Sequence, residues 1–138
     1  MNFAAFNEYM ICEDPIREYK AAGISLGYEF AVRYPTYRGA YICNIMEMEA
    51  AVDDLMIPEE NIRFGVNNKW FTRKEMLEAN KEYWFTGEKA LIRILSDKPL
   101  EKGAHKVNLK MVHKIPYTGY FGNYLHITSD YTRTLTLN

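Results

Sequence analysis

The chain has 138 residues, of which 48% are hydrophobic and 25% charged, and its formal net charge is −1. These values predict one globular domain over residues 1–138. A charge so close to zero argues against nucleic acid or an acidic membrane surface as a partner, and no apolar run reaches the length of a membrane span.

The N-terminal stretch MNFAAFNEYMICEDP lacks a basic start followed by an apolar core. No signal peptide is therefore predicted, and we expect a cytoplasmic location. The two cysteines, Cys12 and Cys43, are too few for a disulfide framework and do not have zinc-site spacing. Their apolar neighbours predict reduced, buried thiols.

The first predicted strand begins at Ile24 and alternates apolar with polar or small residues, which indicates one buried face. Its apolar positions are Ile24, Leu26, Tyr28, Phe30 and Val32. At its end, the sequence GYEFAVRYPTYRGAY contains an unusual cluster. The cluster comprises Arg33, Tyr34, Pro35, Tyr37, Arg38 and Gly39.

Pro35 has no N–H for a strand ladder, so we expect the chain to leave its sheet near Tyr34. Gly39 permits a turn that other residues resist. Tyrosine and arginine are enriched in protein interfaces, which favours an interaction surface. An internal Arg–Tyr stack that closes one end of the domain explains the same residues equally well.

Further short strands follow with turn signals between them. They are predicted at Ile45–Val52, Leu55–Ile57, Ile62–Val66, Lys69–Thr72, Ala90–Leu95, His105–Ile115 and Tyr131–Leu137. Asp53-Asp54 and Asn67-Asn68 mark two tight hairpin turns. The longest strand is His105–Ile115, and Tyr131–Leu137 is predicted as a terminal edge strand.

One short helix is predicted from a capping box, T-x-x-E, formed by Thr72 and Glu75, and it extends to about Asn80. Many short strands with short connections and one short helix indicate a mainly β protein. We predict an antiparallel β-sandwich or barrel-like domain.

The histidines, acidic residues and lysines that could carry out chemistry are better explained by structural roles. His105 and His113 lie eight residues apart on one strand, so their side chains share a face but are separated by about 26 Å. A site that also includes His126 is the metal-binding alternative. Glu47 and Glu49 share one strand face, but no catalytic acid pair is assigned to them. The row of Lys106, Lys110 and Lys114 is interpreted as a solvated strand face, with contact to phosphate or a partner as the alternative. No catalytic residue and no metal ligand is assigned to this chain.

Several segments together resemble the small (beta) subunit of bacterial C-glycoside deglycosidases. They are GYEFAVRYPTYRGAY, EMEAAVDD, IPEENIRFGVNNKWFTRKEM, YWFTGEKALIRI and LEKGAHKVNLKMVHKIPY, and they cover about residues 27–117. The family cluster commonly reads R-x-P-Y-Y-R-G. Arg33, Pro35, Tyr37, Arg38 and Gly39 match it, whereas Thr36 replaces a tyrosine, so no hydroxyphenyl role is assigned there.

The resemblance implies a two-subunit carbon–carbon lyase. Its large (alpha) subunit resembles a sugar-phosphate-isomerase TIM barrel and carries a divalent metal, usually manganese, with the acid–base residues. The implied substrate is a C-glycoside, such as a plant flavonoid C-glycoside, already oxidised at the sugar 3-position. The 3-oxo group acidifies the C2 proton, and β-elimination then cleaves the bond to the aglycone.

Within that framework this chain is a non-catalytic subunit that needs no cofactor of its own and contributes no metal ligand. The cluster from Arg33 to Gly39 is predicted to lie at the subunit interface or the mouth of the active site. The loop YTGYFGNY, through Tyr117 and Tyr120, is a second candidate because Tyr- and Gly-rich loops make adaptable contacts. The main alternative is a stand-alone carbohydrate-binding β-sandwich with Trp70 and Trp84 as stacking platforms, and a self-sufficient His/Glu metalloenzyme is the third.

Overall fold

The computed structural model describes residues 3–115 and 124–138, and most of them lie in short antiparallel strands. The strands are β1 Arg17–Ala21, β2 Ile24–Val32, β3 Ala40–Tyr41, β4 Ile45–Val52, β5 Leu55–Met56, β6 Ile62–Val66, β7 Lys69–Phe71, β8 Tyr83–Trp84, β9 Ala90–Leu95, β10 Gly103–Ile115 and β11 Leu125–Leu137. The α-helix α1 spans Arg73–Glu78, and 3₁₀ turns span Phe3–Tyr9, Ile42–Asn44 and Glu59–Asn61.

Two sheets pack face to face. The first has the strand order β1-β2-β9-β6-β7, and the second has the order β11-β10-β4-β5, while β3 pairs only with β8. Phe30, Phe64 and Ile92 from the first sheet meet Leu109 and Met111 from the second, and each is at most 1% exposed. The antiparallel β-sandwich prediction is confirmed, as is the edge position of the C-terminal strand.

The two hairpin turns and the helix capping box have the predicted structures. Asp53, Asp54, Asn67 and Asn68 all have positive φ values, between 51° and 67°, as two-residue hairpin turns require. The side chain of Thr72 accepts from the Glu75 N–H, and the Glu75 carboxylate accepts from the Thr72 N–H at 2.8 Å. The capping box is therefore formed, although α1 ends at Glu78 and not at Asn80.

Some boundaries differ from the predictions. β1 was not predicted, because its sequence REYKA is polar and lies at an exposed sheet edge. β11 begins at Leu125, six residues before the predicted start, since most residues of its first half are exposed and lack a regular apolar alternation. Ile24 and Leu26 were expected to be buried but are 64% and 38% exposed. They line an open groove with Leu55 and Met56.

The two cysteines are free thiols; Cys12 is buried, as expected, and Cys43 is half-buried. Burial raises the pKa of the Cys12 thiol. Over residues 3–115 and 124–138, none of the helices combines the length and apolar character that a membrane span requires.

Candidate interaction site at the arginine–tyrosine corner

The cluster that follows β2 forms a corner at one end of the sandwich. Tyr34 and Pro35 are buried inside the chain, whereas Tyr37 is 40% exposed and Arg38 is exposed. Arg33 is half-buried, and its backbone N–H donates to the Met10 carbonyl at 2.8 Å, which holds the N-terminal segment against the corner. Tyr117 and Tyr120 lie outside the described residues.

Tyr34 anchors the corner to the second sheet. Its hydroxyl lies 2.9 Å from Nδ1 of His113, and Nε2 of His113 lies 2.9 Å from the Ser129 hydroxyl. The Tyr34 ring also packs against Trp84, with ring centroids 5.3 Å apart. His113 and Ser129 are 0% exposed, so this chain of polar groups fixes the corner to β10 and β11 from within the core.

Thr36 organises the turn that presents Tyr37 and Arg38. Its hydroxyl donates to the Arg38 carbonyl and accepts from the Arg38 N–H at 3.3 Å. The Thr86 hydroxyl in turn donates to the Thr36 carbonyl at 2.8 Å. Thr36 is 4% exposed, and its hydroxyl closes this local turn. A tyrosine at position 36 has no hydroxyl close enough to its own backbone to make the same hydrogen bonds.

Gly39 is required by close packing. Its φ is not positive, so the expected turn freedom is not the reason for glycine at this position. A Cβ there would collide with the carbonyl oxygen of Trp84 and the ring of Tyr83. The backbone of the corner thus lies directly on the segment that follows β8.

Around Tyr37 and Arg38 the structure assembles further aromatic side chains. Tyr37 lies 6.3 Å from Phe6, Tyr41 lies 5.1 Å from Tyr83, and Tyr83 lies 4.7 Å from Phe85, measured between ring centroids. Tyr41 is 44% exposed and Phe85 is 60% exposed. We call this surface the aromatic end; it comprises Phe6, Tyr37, Arg38, Tyr41, Tyr83 and Phe85.

Phe6, Tyr41, Tyr83 and Phe85 were not predicted as site residues because they come from three separate segments. The available signal was the sequence YWF at and just after β8, in which Tyr83 and Phe85 flank the buried Trp84. Alternation along an extended chain places these two rings on the side opposite Trp84. The pairing of Ala40 with Trp84 and of Tyr41 with Tyr83 then brings the second tyrosine alongside.

His105 and His113 are hydrogen-bonded within the fold. His105 is largely buried; its Nδ1 lies 2.6 Å from Asp53 and its Nε2 lies 2.5 Å from the Glu101 carbonyl. The hydrogen bond to Asp53 raises the pKa of His105. Burial lowers the pKa of His113 to about 4, so this ring is neutral at pH 7. In the part of the chain that the structure describes, no three His, Cys, Asp or Glu side chains converge to hold a metal ion.

The two tryptophans have different environments. Trp84 is fully buried, and its indole N–H donates to the Glu88 carbonyl at 2.8 Å, so it is a core residue and not a sugar platform. Trp70 is 38% exposed. The guanidinium of Arg93 lies between the Trp70 and Tyr19 rings, at 3.6 Å and 3.7 Å from their centroids.

The fold and the aromatic end define a small β-sandwich protein with a solvent-facing surface of tyrosine, phenylalanine and arginine. Such residues are typical of protein interfaces. The family model described as C-glycoside deglycosidase beta subunit matches residues 6–117. The chain belongs to the C-glycoside deglycosidase beta subunit family.

Curated relatives agree with this assignment. A C-glycoside deglycosidase beta subunit from Arthrobacter globiformis is 29% identical over 106 residues, which cover 75% of this chain and 79% of the relative. A 3'-dehydrocarminate deglycosidase beta subunit from Microbacterium sp is 28% identical, with 81% and 80% covered. A C-glycoside deglycosidase beta subunit from Microbacterium trichothecenolyticum is 30% identical, with 75% and 79% covered.

Proposed function

We propose that this chain is the non-catalytic small subunit of a metal-dependent C-glycoside deglycosidase. In this proposal it binds a large alpha subunit with a TIM-barrel fold and stabilises that subunit and its active site. Family membership supports the existence of an alpha-subunit partner. The expected location of the complex is the cytoplasm.

The observation that carries the proposal is the construction of the aromatic end. Tyr37 and Arg38 face solvent, while Tyr34 is tied to His113 in the core. A rigid scaffold that presents exposed aromatic and guanidinium groups resembles the anchor residues of binding interfaces. We place Arg33, Tyr37 and Arg38 at or beside the contact with the large subunit, where they dock it or form part of the wall of its site mouth.

The proposed substrate class is supported by the name of a relative in the same family. One relative is named for a 3'-dehydrocarminate, which supports a 3-oxo C-glycoside as the substrate. A base removes the C2 proton, a C1–C2 double bond forms, the C1–aglycone bond breaks, and the aglycone takes up a proton. A divalent metal, manganese by expectation, supplies Lewis-acid stabilisation in the large subunit. This chain contributes no group to those steps.

The proposal is tested with the variants Arg38→Ala and Tyr37→Ala, each purified with the large subunit. We expect weaker complex formation or lower turnover on a 3-oxo C-glycoside. Lys20→Ala serves as the control, because Lys20 is exposed and its surface ion pair with the exposed Glu18 contributes little stability. Unchanged assembly and unchanged turnover in both corner variants would exclude this role for the corner.

The alternative of a stand-alone carbohydrate-binding module now depends on Trp70. A cavity of about 290 Å³ next to Trp70 is also lined by Asn67, Lys69 and Glu88, which are hydrogen-bonding types suited to sugar hydroxyls. Sugar binding by the isolated chain that disappears in Trp70→Ala would favour this alternative. The absence of such binding would leave Trp70 as a partner of Arg93 only.

A further inference from the structure

The second sheet has an open edge along β4. On this edge the Ala50 carbonyl accepts from the Ile57 N–H at 2.8 Å. At the start of β4, where its register with β10 shifts, the Ile45 carbonyl accepts from Arg73 at 3.2 Å. Backbone groups alternate in direction along an antiparallel strand, so the N–H and C=O of Met48 point to the same edge as those of Ala50. Over residues 3–115 and 124–138, no strand pairs with Met48 on that side.

This edge is long enough for another strand and is flanked by apolar side chains. From Ile45 to Ala50 the strand advances five residue steps, about 16 Å, close to the length of an average strand. The adjacent groove of about 510 Å³ is lined in part by Met46, Met48, Met56, Ile57 and Pro58. Methionine side chains adapt to different apolar partners, which suits a surface that receives another segment.

Arg73 lies at one end of the edge and is a buried cation with few partners. It is 4% exposed, its Nη2 donates to Ile45, and its Nη1 contacts the weak acceptor Sδ of Met76 at 3.3 Å. Its Nε has no hydrogen-bond acceptor among the described residues, and the carboxylate of Glu59 lies 3.6 Å away. Desolvation by burial lowers the pKa of Arg73 and outweighs the opposing effects of the Glu59 and Glu47 carboxylates.

The charges along β4 limit what can occupy the edge. Glu47 and Glu49 are exposed on the solvent face beside the open edge. Antiparallel pairing of β4 with β4 of a second copy would bring these four carboxylates together, which disfavours a homodimer. A complementary segment would instead carry basic residues opposite Glu47 and Glu49, and a carboxylate at Arg73.

We propose that an extended segment of the large subunit adds to β4 as a further strand of this sheet and places a carboxylate on Arg73. The inference rests on the proposed function only in taking the large subunit as the partner. Strand addition supplies backbone hydrogen bonds, and the buried guanidinium selects an acidic residue at one position. This contact begins beside Ile45 and is separate from the exposed side chains of the aromatic end.

The first test replaces Arg73 by methionine and measures the dissociation constant with the large subunit. We expect affinity to fall roughly 30-fold or more, because a buried charge pair is lost. The isolated variant should unfold at a temperature equal to or above that of the wild type, since an apolar residue replaces a poorly compensated buried charge. Arg63→Met is the matched control, because Arg63 donates to the carbonyls of Glu60 and Ile62 among the described residues. This variant should change the affinity less than about threefold.

The second test follows amide hydrogen exchange in the free chain and in the complex. Exchange at Met48 should slow by about 100-fold or more on binding, because its N–H gains a strand partner. The Glu49 amide points towards β10 and should be protected in both states, so it is the internal control. A complex that forms with Met48 unprotected, or with Arg73→Met binding like the wild type, overturns strand addition and leaves the proposed function intact.

Two other outcomes would show whether the large subunit or a second copy of this chain binds the open edge of β4. Protection of Met48 in the isolated chain that increases with concentration would assign the edge to a second copy and overturn the inference. Failure of the wild-type chain to bind the large subunit would overturn both this inference and the proposed function.

Discussion

His113 shows how one buried residue links the corner to the stability of the whole domain. Its ring is 0% exposed and joins Tyr34 to Ser129. Burial depresses its pKa to about 4, so the folded protein holds it neutral where an unfolded chain would already protonate it. The buried corner residues are therefore coupled to the protonation of a core imidazole.

This coupling predicts a pH dependence. Between about pH 6.5 and 4 the unfolded chain binds a proton at His113 that the folded chain does not, so stability falls as pH falls. The shift in pKa corresponds to about 3 kcal/mol, fully present above pH 6.5 and lost by about pH 4. Urea unfolding from pH 4 to 7 should show this decrease in the wild type and a flatter profile in His113→Gln.

His126→Gln is the control for that experiment, since His126 is an exposed histidine in β11. It should reproduce the wild-type profile. Identical pH profiles for the wild type and His113→Gln would show that His113 does not carry the effect.

At the scale of elements, the hairpin turn between β4 and β5 contains two aspartates with the same backbone conformation but different side-chain contacts. Asp53 and Asp54 both have positive φ. The Asp53 carboxylate accepts from the Lys106 N–H at 2.9 Å and pairs with His105, whereas Asp54 pairs only with the exposed Lys106 side chain. The two residues should therefore respond in opposite directions to glycine.

We predict that Asp54→Gly raises the free energy of unfolding by about 0.5–1 kcal/mol, because glycine adopts positive φ without strain. Asp53→Gly should lower it by about 1–3 kcal/mol, since the Lys106 amide and the His105 ring lose their acceptor. Urea denaturation at pH 7 measures both. A stabilised Asp53→Gly protein, or two variants with the same change, would contradict this assignment.

The structural elements that could be predicted from the sequence are those whose geometry is determined by residues close together in the chain. Asn67-Asn68 and the Thr72–Glu75 capping box fix their own geometry within four residues, so they are visible without tertiary information. β1 and the first half of β11 escaped prediction because polar edge strands are defined by their neighbours. Glu29 is buried on the outer face of its sheet because Arg17 and Arg93 bind it from flanking strands, which no local pattern reveals.

The candidate site was predicted only in part, for the same reason. Arg33 to Gly39 form a continuous stretch, so their composition drew attention to the corner. Phe6 reaches Tyr37, and Tyr41 and Phe85 reach Tyr83, only through long-range packing or strand pairing. The open edge of β4 depends on where β5 stops. The prediction that the corner contacts another subunit stays a prediction until the complex is assayed.

Across the whole molecule, the aromatic end and the apolar groove at Ile24 and Leu26 lie at opposite ends of β2, about 30 Å apart. His105 and His113 are held by internal hydrogen bonds to Asp53 and Tyr34. These exposed surfaces support the proposal that the sandwich binds a partner and that the partner supplies the chemistry.

Removal of metal should affect the activity of the two-subunit complex but not the stability of the isolated chain. Treatment with EDTA should leave the unfolding temperature of the isolated chain within about 1 °C of its untreated value, because within residues 3–115 and 124–138 no three His, Cys, Asp or Glu side chains converge to hold an ion. In the two-subunit complex the same treatment should abolish turnover of a 3-oxo C-glycoside, and added manganese should restore it. Stoichiometric manganese in the isolated chain, or a clear fall in its unfolding temperature with EDTA, would instead assign a metal site to this subunit.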